Sequence, residues 1–323
     1  MAGNSNFGNI VSTTIDAYLP TLKDNYTNNS ALLTYLKKAG NVKTENGGVR
    51  ILENLEFSNS GAYVRYSGSA TWALESNKFA TAAEYNRKFV AVPLVFTGAE
   101  ELANSGKQAV IDLIASRLKN GQNSLMNGLA SDVYSDGTEA DQIGGLKYLV
   151  ADAPTTGTVG GIDRSDASNA FWRNYVKDNG GTAFTSSTIL PAMNDVYINT
   201  KRNADTVDAI FAGNSLHNLY YSALTPQQQF TSSEGKGGFS RLTFNGDIKV
   251  ELDGGIGGSC ETDRMYFLNS NYLYLRPNAS RNTGRKGRVD SINQDAYVEA
   301  FLWAGNMTMS GAQFQGVLAD ENL

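Results

Sequence analysis

The sequence predicts an α+β fold in which not every part can bury itself, and three observations carry that prediction. Thr97-Gly98-Ala99-Glu100 has capping-box spacing and opens a long run of apolar residues at helical intervals. Strand-like runs punctuated by turn residues lie on both sides of that helix. Residues 1–46 hold too few apolar positions for a core of their own.

Taken in chain order, Ser30 to Leu36 predicts one short helix, capped by Ser30 and ended by Gly40, inside an otherwise extended N-terminal arm. Val49–Phe57 and Phe89–Phe96 read as two strands of a long excursion, with Tyr63, Tyr66 and Trp72 between them among Ser, Gly and Ala. A two-stranded ribbon is marginal alone in water, so it must lie against something else. The capped helix then carries Leu102, Val110, Leu113, Ile114, Leu118, Leu125, Leu129 and Val133 up to the breaker Ser135-Asp136-Gly137. That is roughly 35 residues, or about 50 Å of rod. Gly106, Gly121 and Gly128 weaken it, so it needs tertiary support or a close backbone approach. Beyond it, Thr188–Lys201 and Ser215–Leu224 predict helices around a buried strand at Val207–Ala212. Phe244–Leu252, Met265–Asn269 and Tyr272–Leu275 predict strands, with a glycine cluster at 254–258. Asp295–Trp303 predicts a strand, followed by a turn at Ala304-Gly305-Asn306 and one final strand.

Composition excludes several functions. The chain has 323 residues and a formal net charge of −5. It lacks the positive surplus with which proteins displace counterions from a nucleic-acid backbone, so only weak, non-specific contact with DNA is compatible with it. One cysteine, Cys260, and one histidine, His217, cannot make an intramolecular disulfide or a Cys/His zinc site. The N-terminus has no basic segment followed by an apolar core, and the chain reads as cytoplasmic at synthesis.

Candidate chemistry fails residue by residue. Ser105-Gly106-Lys107-Gln108 lacks the earlier glycine of a phosphate-binding loop, since Glu101 occupies that place, and lacks Ser or Thr after the lysine. Glu100 and Glu101 are helix neighbours that point apart, and suit the positive end of the helix dipole instead. Asp136, Glu139 and Asp141 share a loop but miss the spacing and distal glutamate of a calcium loop. His217 has no nucleophile or partner nearby in sequence. Arg281, Arg285, Lys286 and Arg288 form a basic cluster without the interleaved aromatics that stack bases. We therefore expect no catalytic, cofactor or metal residue.

The order of features resembles the major capsid proteins of tailed bacteriophages, which share the Hong Kong 97-type, or HK97-like, shell fold. Ala83 to Leu94, followed by Thr97 and Glu100-Glu101, resembles the family's passage from the extended E-loop into the spine helix of the peripheral (P) domain. Asn245-Gly246-Asp247-Ile248 with Met265 to Leu275 is similar to its axial (A) domain strands. Gln294 to Val298, then Trp303 to Met307, resembles the return into the P-domain sheet.

The resemblance implies an N-terminal arm at 1–46, an E-loop hairpin at 47–94, a P-domain spine helix at 95–140, a mixed α/β A-domain at 141–287, and P-domain C-terminal strands in an antiparallel sheet at 288–323. It implies self-assembly into hexamers and pentamers of an icosahedral head shell around double-stranded DNA, located in the virion capsid and assembled in the host cytoplasm. Portal, scaffolding and decoration proteins are the implied partners. Because the arm begins close to Met1, scaffolding is expected from a separate protein or is already absent. Leu33, Leu36, Phe57, Tyr63, Arg65, Tyr66, Trp72, Glu75 and Lys78, from arm and E-loop, are the expected subunit-interface residues. No lysine lies between Ser58 and Asn77, so a shell without Lys-to-Asn cross-links is expected. The competing readings are an encapsulin-like nanocompartment shell, and, from another class, a secreted adhesin or glycan-active enzyme.

Overall fold

The computed structural model describes residues 11, 13–15, 17, 29–58, 63, 65–69, 79–99, 107–228, 242–255 and 257–320. Residues 11, 13–15 and 17 are helical, so the arm is not otherwise extended, and the first complete elements are helix α1 (Ala31–Lys38) and strands β1 (Arg50–Glu56), β2 (Ala80–Asn86) and β3 (Lys88–Thr97). The long helix α2 (Lys107–Asp132) follows, then one turn, α3 (Leu146–Leu149), and the two-residue strands β4 (Thr158–Val159) and β5 (Ile162–Asp163). Next come β6 (Tyr175–Lys177), α4 (Ile189–Thr200), β7 (Ala209–Ala212), α5 (Asn214–Gln228), β8 (Thr243–Phe244) and β9 (Ile248–Leu252). The chain ends with β10 (Arg264–Leu268), the long β11 (Leu273–Asp290) and β12 (Ala296–Met309), and β13 (Gly316–Ala319).

Two larger sheets organise these elements. The first has six strands in the order β6-β13-β10-β7-β9-β8 and is mixed, with β6–β13 and β7–β9 parallel. It is a wall between two cores. Alternation along β7 sends Ile210 and Ala212 to one side and Ala209 and Phe211 to the other, and β10 likewise splits Met265 and Phe267 from Tyr266 and Leu268. On the first side, Ile189, Met193 and Val196 of α4 and Leu216 and Tyr220 of α5 complete a closed cluster. The opposite face is covered by α1 and by the end of α2, where Tyr35 meets Phe211 edge-on at 5.5 Å and Tyr134 lies 6.2 Å from Tyr266.

The second sheet is antiparallel, in the order β11-β12-β3. Ile114, Leu118, Leu125 and Leu129, one apolar stripe of α2, and Val133 just past its end are buried in the core that also holds Leu94, Phe96, Phe301 and Trp303 of this sheet. Gly121 explains the close fit, because a Cβ there would stand 2.7 Å from Leu94 Cδ2. Segment 41–45 adds a short parallel ladder to β11. Its bonds are Lys43 N–H to Leu275 O, Leu275 N–H to Asn41 O and Glu45 N–H to Pro277 O, each 3.0 Å.

Several expectations are corrected. The second strand of the excursion is β2, whose register runs from Arg50↔Asn86 to Glu56↔Ala80, whereas β3 pairs with β12 from Ala296↔Thr97 to Gly305↔Lys88. The run 80–86 holds Ala, Thr and Glu and so lacks the apolar signature of a strand; its strand character comes from its partner. Thr97 ends β3 and Gly98 and Ala99 are already helical, as the capping-box spacing predicts; residues 100–106 lie outside the described residues, and α2 stops at Asp132 instead of running on to the breaker at Ser135. Phe244–Leu252 is a hairpin, not one strand. Asn245 (φ 50°) and Gly246 (φ 93°) turn the chain between β8 and β9.

The proposed turn at 304–306 is continuous β12, and the division at 287/288 falls inside β11. Of the tail, β13 pairs with β10 and β6, so it joins the six-stranded sheet and not the antiparallel one. Leu33 and Leu36, together with Val11 and Ile15, are buried in the chain's own core. The described apolar residues of the arm therefore find their partners within the same chain, and these two leucines are not available to a neighbour.

Candidate functional site

With catalytic residues unexpected, the candidate site lies among the exposed, largely apolar surfaces of the chain. The first is the β1–β2 ribbon. Alternation buries Ile51, Glu53 and Leu55 on β1 and Ala83 and Tyr85 on β2, and leaves Arg50, Leu52, Asn54 and Glu56 outside. The ribbon root is bolted down. Arg276 donates from Nε and Nη2 to the two Glu53 carboxylate oxygens at 2.8 Å each, and Thr308 Oγ1 donates to the same carboxylate at 2.6 Å. The Tyr85 hydroxyl donates to Met309 O at 3.1 Å, and burial pushes its pKa well up. Gly47 and Gly48 supply the carbonyls that Arg87 binds at 2.6 and 2.7 Å.

Beyond this root, Tyr63 and Tyr66 are 84% and 63% exposed, and Arg65 lies over the Tyr63 ring at 5.9 Å. Phe57 stacks on Phe171 at 4.5 Å, so its partner lies in its own chain. Trp72, Glu75 and Lys78 lie outside the described residues. Of the nine expected interface residues, then, Tyr63, Arg65 and Tyr66 stand exposed together, Phe57 is half-buried, and Leu33 and Leu36 are buried elsewhere.

The second surface is the outer face of β3, where Phe89 (59% exposed), Ala91, Pro93 and Val95 (42%) line up at period two. None of these four is among the residues expected at an interface. Their signal was present: β3 has no charge between Lys88 and its end, although only one face of it is buried. A third feature is the tip of the β11–β12 hairpin, where Ile292 is fully exposed.

A buried junction holds the arm in place. Asp253 Oδ2 accepts from Ser30 Oγ (2.9 Å), from Leu32 N–H (3.2 Å) and from Tyr134 OH (2.7 Å). It thus caps α1 from a remote loop and ties α1 to the end of α2. Ser30 itself makes no capping bond. Burial, and secondarily the Asp253 charge, push the Tyr134 pKa well up and do the same to the neighbouring Cys260 thiol. On the other flank of α1, Tyr35 OH donates to Asp208.

The chemistry-bearing candidates are occupied structurally. Asp136 accepts from Thr138 N–H (3.1 Å) and Thr138 Oγ1 (2.8 Å), bonds that lower its pKa, and among the described residues no group of three His, Cys, Asp or Glu could hold a metal ion. His217 is half-buried, which lowers its pKa. Arg285 pairs with buried Glu299 (Nε–Oε2 3.0 Å), Arg288 with Asp290 (2.6 Å), and Arg281 lies over the Phe89 ring at 5.7 Å. The basic cluster is thus largely spent on the chain itself. Arg164 is fully buried, donates to Trp172 O (2.9 Å) and Leu149 O (2.6 Å), and is pulled down to about 10 by burial. Among the described residues, no helix is long and apolar enough to cross a membrane.

No protein-family model matches the sequence, and no curated protein matches it significantly. Solved structures do match. The cyanophage A-1(L) capsid asymmetric unit aligns with a TM-score of 0.62 at 16% identity, covering 89% of this chain and 92% of that one. The capsid of a native GTA particle aligns at 0.57 and 9% identity over 88% and 89%, and the capsid of Myoviridae phage XM1 at 0.52 and 10% over 89% and 91%. At such identities the likeness is one of fold, and it extends over nearly the whole of each chain. The chain has the HK97-like fold of phage capsid proteins.

Proposed function

We propose that this chain is the major shell subunit of a phage-type head, assembling into hexamers and pentamers that enclose double-stranded DNA in the virion. One observation carries the reading: the fold matches capsid proteins over about nine-tenths of both chains. The exposed apolar residues of the ribbon tip and of β3 support it, because a subunit that remained alone in water would have little use for them.

In this reading the β1–β2 ribbon with its tip is the E-loop. The β11-β12-β3 sheet with α2 is the P-domain, and the six-stranded sheet with α4 and α5 is the A-domain. The subunit is structural and not an enzyme. Its partners are copies of itself, with portal, scaffolding and decoration proteins as the accessory set, and its contact with packaged DNA is weak and non-specific given the net charge of −5. Assembly takes place in the host cytoplasm, and the shell carries no Lys-to-Asn cross-links. Electron microscopy of the purified protein, with nuclease treatment of any particles and analysis of their contents, tests the proposal. Closed shells protecting DNA are expected. Shells filled with an enzyme would favour a nanocompartment, and a monodisperse monomer at high concentration would overturn the shell reading.

A further inference from the structure

The backbone register of β3 shows which of its polar groups are already used. Gly98 N–H bonds Asp295 O at 2.9 Å, so this opposed pair is of the hydrogen-bonded kind. Alternation along the unbroken register then directs the backbone groups of Lys88, Val90, Val92, Leu94 and Phe96 to β12. Those of Phe89, Ala91, Pro93 and Val95 face outward along the sheet edge. Two independent features agree: Pro93, which has no N–H to lose, sits at an outward position, and Arg117 reaches Val95 O from outside. Pro93 and Arg117 close the edge from residue 93 onward. Among the described residues the stretch Lys88–Val92 stays open, with the N–H and C=O of Phe89 and Ala91 facing out beside their exposed side chains.

The opposite edge of this sheet is treated differently. The chain's own segment 41–45 covers the start of β11, and the far half of β11 is broken by register shifts, which discourage pairing. At the outer edges of the six-stranded sheet, β6 and β8 have three and two residues.

One other long strand has an open edge among the described residues. Phe57 N–H bonds Phe79 O at 3.0 Å, and the same alternation directs Ile51, Glu53 and Leu55 to β2 and leaves Arg50, Leu52, Asn54 and Glu56 facing outward. Leu52 is 59% exposed on this edge. Arg50 is neutralised by Glu84, so the edge presents the Glu56 carboxylate, whereas the open stretch of β3 starts at Arg87-Lys88 and is flanked by Arg281. Length, apolar content and charge are complementary.

We propose that the open stretch Lys88–Val92 of β3 is a strand-pairing site for a second copy of this chain, filled by the outer edge of that copy's β1. The inference rests on the shell reading and adds to it a specific backbone contact. Each subunit then carries one donor edge and one receptor edge, which propagates contact from copy to copy instead of stopping at a pair.

The test is residue-resolved hydrogen exchange on assembled particles and on dissociated subunits of the full chain. The amides of Phe89 and Ala91, and those of Leu52 and Asn54, are expected to gain about tenfold or more protection on assembly. Ala91→Pro removes only an outward N–H, as native Pro93 does, and is expected to leave the subunit's melting temperature close to wild type while blocking assembly. Particles in which these four amides exchange as in free subunits, or normal assembly of Ala91→Pro, would overturn the pairing and leave the shell reading standing. Protection on β3 without protection on β1 would overturn β1 as the occupant. Failure of the wild-type chain to form particles at all would remove the shell reading itself.

Discussion

The two sheets of this molecule solve the same burial problem to different degrees. The six-stranded sheet is covered on both faces, by α4 and α5 on one side and by α1 and the end of α2 on the other, and its β7 and β10 are buried along their whole length. The β11-β12-β3 sheet is covered by α2 on one face, while along β3 the other face stays open with Phe89, Ala91, Pro93 and Val95 exposed. A sheet closed on both sides contributes stability to one subunit. In the proposed pairing, the one left open along an edge strand holds binding capacity in reserve for another copy.

The largest effect should come from breaking the closed region. Phe267 is fully buried in the α4–α5 core, and Phe267→Ala is expected to cost about 3–5 kcal/mol, read as a drop in the denaturant midpoint without a change in slope. Next in size is the bolt of the ribbon. Arg276→Ala strands the buried Glu53 carboxylate and should cost about 3 kcal/mol, whereas the paired change Arg276→Met with Glu53→Leu should recover much of that loss. If the single and double variants were equally unstable, the ribbon would be held by packing and not by the ion pair.

What was legible in the sequence followed from periodicity. The stripe of α2 could be read from Ile114 to Leu129, the helices α4 and α5 from their spacing, and β7 from its unbroken apolar run. Illegible parts were those decided by contacts remote in sequence. Ala80–Asn86 has no strand signature and is a strand because β1 pairs with it. The Asn245-Gly246 turn signal lies inside Phe244–Leu252, a run whose apolar residues otherwise read as one strand. Burial of Leu33 and Leu36 depends on Asp253, more than 200 residues away, as the cap of α1. Of the exposed surfaces, the sequence pointed to Tyr63, Arg65 and Tyr66 but not to the β3 face. Its alternation is hidden because the residues on both faces are apolar, and only the pairing with β12 separates buried from exposed.

Asp253→Ala should have a smaller effect, about 2 kcal/mol, since α1 loses its cap and Tyr134 its acceptor. Limited proteolysis should then cut the arm before the body. A pH scan gives a still weaker and reversible perturbation. Burial raises the Tyr85 pKa in the folded state, so the neutral phenol is favoured there, while in the unfolded chain it titrates near ~10. The stabilisation is complete below pH ~10 and falls as pH rises beyond it, by at most about 1.4 kcal/mol per unit for this group. Tyr85→Phe should flatten that alkaline decline while lowering the plateau at neutral pH.

The smallest expected effect on the subunit is the most informative one for the comparison. Phe89→Ala removes an aromatic ring that is mostly exposed, so the free subunit should unfold within about 0.5 kcal/mol of wild type. The same truncation at Phe267 should be several times larger, although both residues are phenylalanines in strands. Against assembly the order should reverse: Phe89→Ala should raise the protein concentration needed for particles to form, measured by light scattering, at unchanged subunit stability. A loss of subunit stability matching that of Phe267→Ala would mean that Phe89 already has its full apolar environment within one chain. The open edge would then be an ordinary solvent-facing strand, and the distinction between the two sheets would collapse.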